Sequence, residues 1–145
     1  MRNYIIIAVI CLGIISCNKN KFSSIPQLKY ESANTEVLDR GQIISFKLSY
    51  TDAEGDLQDT IFVQKVEPTC AASGFTSRYP LPEFPATVNA DGEITVSFGY
   101  NVDNYPLIKA PQCGRNDTCY FRFMLKDKAQ NKSDTVNSGR IIIIK

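Results

Sequence analysis

The sequence predicts an all-β fold, an antiparallel β-sandwich of two sheets packed face to face. Three observations point there. Apolar and polar residues alternate in one segment after another, the two-residue period of a half-buried strand. Gly, Pro, Asn and Asp cluster between those segments, where turns need them. No stretch long enough for a stable helix escapes interruption by Pro, Gly or strand alternation. Sheets that bury their period-two faces against each other close a single core.

Taken in order, residues 1–16 stand apart from this pattern. "MRNYIIIAVICLGIIS" carries one positive charge, Arg2, and an apolar run from Tyr4 to Ile15. That run is shorter than the roughly 20 residues of a membrane span. It reads as a signal peptide and not as part of the fold. Residues 17–26, "CNKNKFSSIP", are mostly polar and read as a tether. The domain proper covers 27–145. Its clearest strand is "IISFKLSY" at 43–50, with Ile44, Phe46, Leu48 and Tyr50 on one face and Ser45, Lys47 and Ser49 on the other. "TIFVQKV" at 60–66 is rich in β-branched and aromatic residues and reads as the next strand.

Residues 67–85 contain Pro68, Pro80, Pro82 and Pro85. These exclude a helix or a central strand and predict a long connection, the kind that often carries function. "ATVNADGEITVSFGY" at 86–100 predicts a hairpin turning at Asp91-Gly92. A second loop fills 101–118. "CYFRFMLKD" at 119–127 is a strand with Phe121, Phe123 and Leu125 on one face, and "GRIIIIK" at 139–145 is a closing strand apolar on both faces.

Composition excludes several kinds of chemistry. The chain has no histidine, so neither a Ser-His-Asp nor a Cys-His arrangement can form. It has no Gly-x-Ser-x-Gly elbow, phosphate loop or dinucleotide fingerprint. The expectation is a protein that is not an enzyme. Once Arg2 leaves with the leader, basic and acidic side chains balance. A balanced, scattered charge argues against nucleic acid as a partner.

Cysteines fall at 11, 17, 70, 113 and 119. Export places the chain in an oxidising compartment. The last three thiols allow one disulfide. Cys113–Cys119 is the favoured pair and would close a ring worth about 2 kcal/mol. Cys70–Cys119 or Cys70–Cys113 would close a longer loop worth about 4 kcal/mol. The sequence leaves that choice open.

The densest polar feature is "SYTDAEGDLQDTI" at 49–61, with Asp52, Glu54, Asp56 and Asp59 around Gly55. It is not an EF-hand: counting from Asp52, glycine falls at position 4 and Val63 at position 12. Two readings stand. Asp and Gly suit a solvated turn for backbone reasons. The same carboxylates could instead supply oxygens to calcium, which takes six to eight. Asp127, at the end of a later strand, is the cross-strand candidate, provided the two strands run to the same end. No cofactor beyond such a structural ion is expected. Tyr79, Tyr100 and Tyr105 lie in or beside the long loops and are candidates for stacking on a sugar; ordinary core or loop packing is the other reading. The 67–85 loop is the candidate partner surface.

Three resemblances extend this reading. "IISC", Ile14 to Cys17, resembles the lipobox of bacterial lipoproteins. That implies cleavage before Cys17, acylation of Cys17 and a membrane partner held through lipid. "LSYTDAEGDL" and "FMLKDKAQNKSDTV" resemble segments of bacterial immunoglobulin-like domains. The second matches the V-x-D-x-A-G-N-x-S corner at Leu125, Asp127, Ala129, Asn131 and Ser133, with Gln130 in the place of the usual glycine. The "D-x-x-G-D" turn is similar to those of cadherin-like and immunoglobulin-like domains. It implies calcium held by Asp52, Glu54, Asp56, Asp59 and Asp127.

Together these resemble the small immunoglobulin-like lipoproteins abundant in Bacteroidetes-type bacteria. The resemblance implies an immunoglobulin-like antiparallel β-sandwich after a lipoprotein signal peptide. It implies an outer-membrane location, with the periplasmic face favoured because "CNKN" lacks acidic residues. The expected role is binding or structural. Two alternatives stay open: a glycan- or protein-binding accessory lipoprotein of an outer-membrane uptake system, and a small enzyme or enzyme inhibitor.

Overall fold

A computed structural model describes residues 21–145. The expected signal peptide and the expected lipidation residue, Cys17, lie outside the described residues. Nine strands follow one another: β1 (Gln27–Ala33), β2 (Val37–Leu38), β3 (Ile43–Asp52), β4 (Thr60–Val66), β5 (Phe75–Pro80), β6 (Ala90–Gly99), β7 (Asp117–Lys126), β8 (Val136–Asn137) and β9 (Ile141–Ile143). Among the described residues a single 3-10 turn, Ala71–Ser73, separates β4 from β5. No helix among the described residues is long and apolar enough to cross a membrane.

The strands form an all-β sandwich. One sheet has the order β1-β3-β6; the other has β2-β9-β7-β4-β5, with β8 also paired to β7. The first, second and fifth long strands share one sheet, and the third, fourth and sixth lie in the other. This is the strand distribution of an immunoglobulin-like sandwich. One pair departs from the antiparallel expectation: β2 runs parallel to β9, with Val37 opposite Ile142.

Alternation builds the core. Ile44, Phe46 and Leu48 of β3 are fully buried, and so are Phe121, Phe123 and Leu125 of β7. The Phe46 ring lies between the sheets, 4.6 Å from that of Phe121 and 5.2 Å from that of Phe123. Each such side chain contributes about 1.5–3 kcal/mol on leaving water. Lys65 of β4 also points inward and is completely buried. Its ammonium meets Asp117 at 2.6 Å and donates to the Lys109 carbonyl at 2.8 Å.

Three expectations are corrected. Asp91-Gly92 is not a hairpin turn. It lies inside β6, with Asp91 opposite Thr51 and Gly92 opposite Tyr50. A side chain at Gly92 would fall 2.9 Å from the Tyr50 hydroxyl, so glycine here lets the tyrosine ring cross the strand. Residues 67–85 are not one long loop, since they hold β5. That strand lies at a sheet edge and ends at Pro80, the position a proline tolerates. The disulfide joins Cys70 to Cys113, with Cα atoms 6.1 Å apart. β7 begins at Asp117 and carries Cys119 inward along the core face, away from Cys113. Cys119 is therefore a buried free thiol.

The topology also sets the site. β3 ends at Asp52 in one sheet, and β7 ends at Lys126 in the other, just before Asp127. The two strands run to the same end of the sandwich.

Candidate metal centre

The site is made by two corners. After β3 the chain turns through 53–59. Asp52 is fully buried, and its Oδ2 accepts from the backbone N–H of Gly55 at 2.6 Å and of Asp56 at 3.2 Å. Gly55 has φ +69, and the Thr87 backbone packs where its side chain would be. Only glycine meets both demands. Leu57, fully buried, anchors the turn in the core.

The second corner follows β7. Asp127 is buried; its Oδ1 accepts from the Asn131 backbone N–H at 2.7 Å and its Oδ2 from the Asn131 side-chain amide at 2.9 Å. Gln130 sits at φ +71, the left-handed conformation that a glycine would normally supply in this corner. Ser133 closes the corner by accepting from the Leu125 N–H at 2.9 Å. The corners are stitched together where the Lys128 N–H donates to the Asp56 carbonyl at 3.0 Å.

One carboxylate oxygen each from Asp52, Asp56 and Asp127 lies within 4.8 Å of the others. The Oδ1 atoms of Asp52 and Asp56 are buried and have no hydrogen-bond partner. Burial pushes the Asp52 carboxyl above its ordinary value; the Gly55 and Asp56 N–H groups oppose this, and the Asp56 and Glu54 charges add to it. A buried carboxylate oxygen without a partner is costly. The donor set is all hard oxygen, which suits calcium or magnesium better than a thiophilic metal. Asp52, Asp56 and Asp127 are the residues that could hold it.

The other two acidic candidates are not brought in. Glu54 is exposed and accepts from the Ser24 hydroxyl at 2.7 Å. Asp59 pairs with Lys126 at 2.8 Å, and that lysine and Thr60 hold its carboxyl below its ordinary value. Asn131 was not among the candidates, although the corner motif contains it. It grips both oxygens of Asp127 and also donates to the Ser24 carbonyl at 3.1 Å, tying the site to the segment before β1.

The three tyrosines separate. Tyr100 is buried beneath the Arg40 guanidinium and has no face to offer a sugar, which removes it as a binding residue. Tyr105 is 40% exposed on the 101–116 loop. Tyr79 is half-buried, edge-on to Phe98, and lines an apolar cleft of about 400 Å³ between β5 and β6.

No family model matches the sequence, and no curated protein matches it. Among solved structures the chain is similar to Spo0M, a sporulation control protein from Bacillus subtilis. The TM-score is 0.43 and the identity 7%, over 83% of this chain and 50% of that one. A likeness so distant carries no argument about activity.

Proposed function

We propose that this chain is a non-catalytic, lipid-anchored protein of the cell envelope whose β-sandwich is fastened at one end by a divalent cation, calcium in the first instance. One observation carries the cation: three carboxylates from two corners of the sandwich converge, and two of their oxygens are buried without partners. Those carboxylates would supply part of a coordination shell, with carbonyls and water completing it. The ion would join the β3–β4 turn to the corner after β7. Its role there is to stiffen a binding or structural domain. The "IISC" leader supports the lipid anchor, and the missing histidine removes the Ser-His-Asp and Cys-His routes to nucleophilic catalysis.

The test is thermal unfolding of the purified chain with chelator and with calcium. A ligand that binds only the folded state at about a hundred times its Kd adds about 2.7 kcal/mol, so the melting temperature is expected to rise by roughly 10 °C. Identical curves in both buffers overturn the cation. Anchoring is tested separately by incorporation of labelled fatty acid, expected in the native protein and lost in Cys17→Ala.

A further inference from the structure

The cleft between β5 and β6 has an unusual wall. Six successive β6 residues, Glu93 to Phe98, line it. Side chains on a strand alternate between faces. Ile94, Val96 and Phe98 point into the core, and Glu93, Thr95 and Ser97 point the other way. Both sets can border one cleft only where the edge of the strand, its backbone, faces that cleft. The pairing agrees. β6 is bonded to β3 along one side, and β6 ends its sheet. On the other side, among the described residues, backbone partners begin only at Gly99, which meets Pro106 and Ile108.

Edge strands are normally blunted. β1 carries Lys29 and Glu31, β2 is two residues long, and β5 carries Arg78 and ends in Pro80. β6 lacks these devices over "ITVSF", 94–98. Its nearest charge, Glu93, is answered by Lys47 at 2.8 Å. The sheets are also unequal, three strands against six. In the constant-type immunoglobulin arrangement a fourth strand lies beside the counterpart of β6; here the strand in that chain position, β5, pairs with β4 instead, so the smaller sheet has no fourth strand. The chain passes from β5 to β6 through 81–89 without forming one.

We propose that β6 accepts an extended segment of another polypeptide as that fourth strand, with apolar side chains at alternate positions entering the cleft against Tyr79, Leu81 and Phe84. Backbone hydrogen bonds would give affinity and the cleft would give selectivity. The volume, about 400 Å³, lies within the usual range of ligand pockets. A small apolar ligand would fill the cleft but leave the β6 backbone groups unpaired beneath it. A second copy joined through its own β6 would leave both clefts unfilled, because its inward side chains already serve its own core.

The probes are four acetylated, amidated octapeptides, alternating threonine with Val, Ile, Leu or Phe, tested against the full chain. At least one is expected to bind with Kd below about 1 mM. Binding should slow hydrogen exchange about tenfold at alternate amides within 93–98. The same peptide N-methylated at every second nitrogen, so that the edge-facing bonds are blocked, should lose binding. Leu81→Lys should weaken binding about tenfold while leaving the exchange pattern of β7 intact. If none of the four binds, if the N-methylated peptide binds as well as its parent, or if decanoate alone occupies the cleft, the proposal is overturned.

Discussion

Asp52 carries a negative charge into a place where one of its oxygens has nothing to bind. Asp52→Asn should therefore do two different things. In chelator it removes a costly charge, and the melting temperature should equal or exceed that of the native protein at pH 7. In calcium it removes a ligand, and the rise in melting temperature should disappear. A variant that simply loosened the turn would melt lower in both buffers. The pH dependence has a definite sign. Folding raises the Asp52 pKa above its ordinary 3.8. The stability this group contributes is present below that value and is lost as pH rises through the raised one. In chelator, the native protein should therefore lose stability relative to Asp52→Asn as pH rises from about 4 to 7. Bound calcium would act in the opposite direction, because its ligands must be deprotonated. The calcium-induced rise should grow over the same interval.

Cys119 makes a simpler residue-scale case. Burial pushes its thiol up to about 12. The thiolate is the reactive form, so iodoacetamide should leave Cys119 unmodified in the native chain and alkylate it in guanidinium. Peptide mass mapping checks this, and labelling of the native chain would contradict the buried position.

At the scale of elements, the 53–59 turn depends on one glycine. Gly55→Ala demands φ +69 of a residue with a side chain and pushes that side chain into the Thr87 backbone. The left-handed conformation alone costs about 1–2 kcal/mol, and the steric conflict adds to it. A loss of at least about 2 kcal/mol in urea unfolding is expected. The calcium response should fall with it, since Asp52 and Asp56 are positioned by this turn.

Elements also show what can be read from sequence. β3 and β7 were legible from a two-residue period sustained over seven or more positions, and β4 from its β-branched and aromatic residues. β5 was hidden by prolines at its borders; an edge strand tolerates them, and sequence does not say which strand is an edge. The false hairpin at Asp91-Gly92 came from a local rule overruled by a distant residue, Tyr50. Asp52, Asp56 and Asp127 were legible as a set because each ends or follows a strand whose direction the fold class implied. The exclusion of Glu54 and Asp59 was not, because Lys126 and Ser24 claim them through contacts set by side-chain direction. Tyr100 was misread for a related reason: its place at the end of the β6 alternation continues the buried face.

As a whole molecule, the sandwich is closed differently at its two ends. The acidic corners lie where β3 and β7 finish. The Cys70–Cys113 bridge and the Lys65–Asp117 pair lie at the end where β4 finishes and β7 starts. The ten residues of β7 put about 30 Å between these ends. The bridge spans a sequence separation of 43 residues, which in the chain-entropy model stabilises the fold by about 4 kcal/mol. That is a large share of the 5–15 kcal/mol typical of a domain. Cys70→Ser/Cys113→Ser should therefore lower stability by roughly 2–4 kcal/mol, allowing for the shortfall common when the unfolded chain retains structure. Sites this far apart with no shared partner should also act independently. In a four-cornered set of urea titrations, bridged or bridgeless and with calcium or chelator, the two losses should add within about 0.5 kcal/mol. Coupling well beyond that would mean the two ends communicate through the core, and the picture of a sandwich closed by two separate fasteners would have to be abandoned.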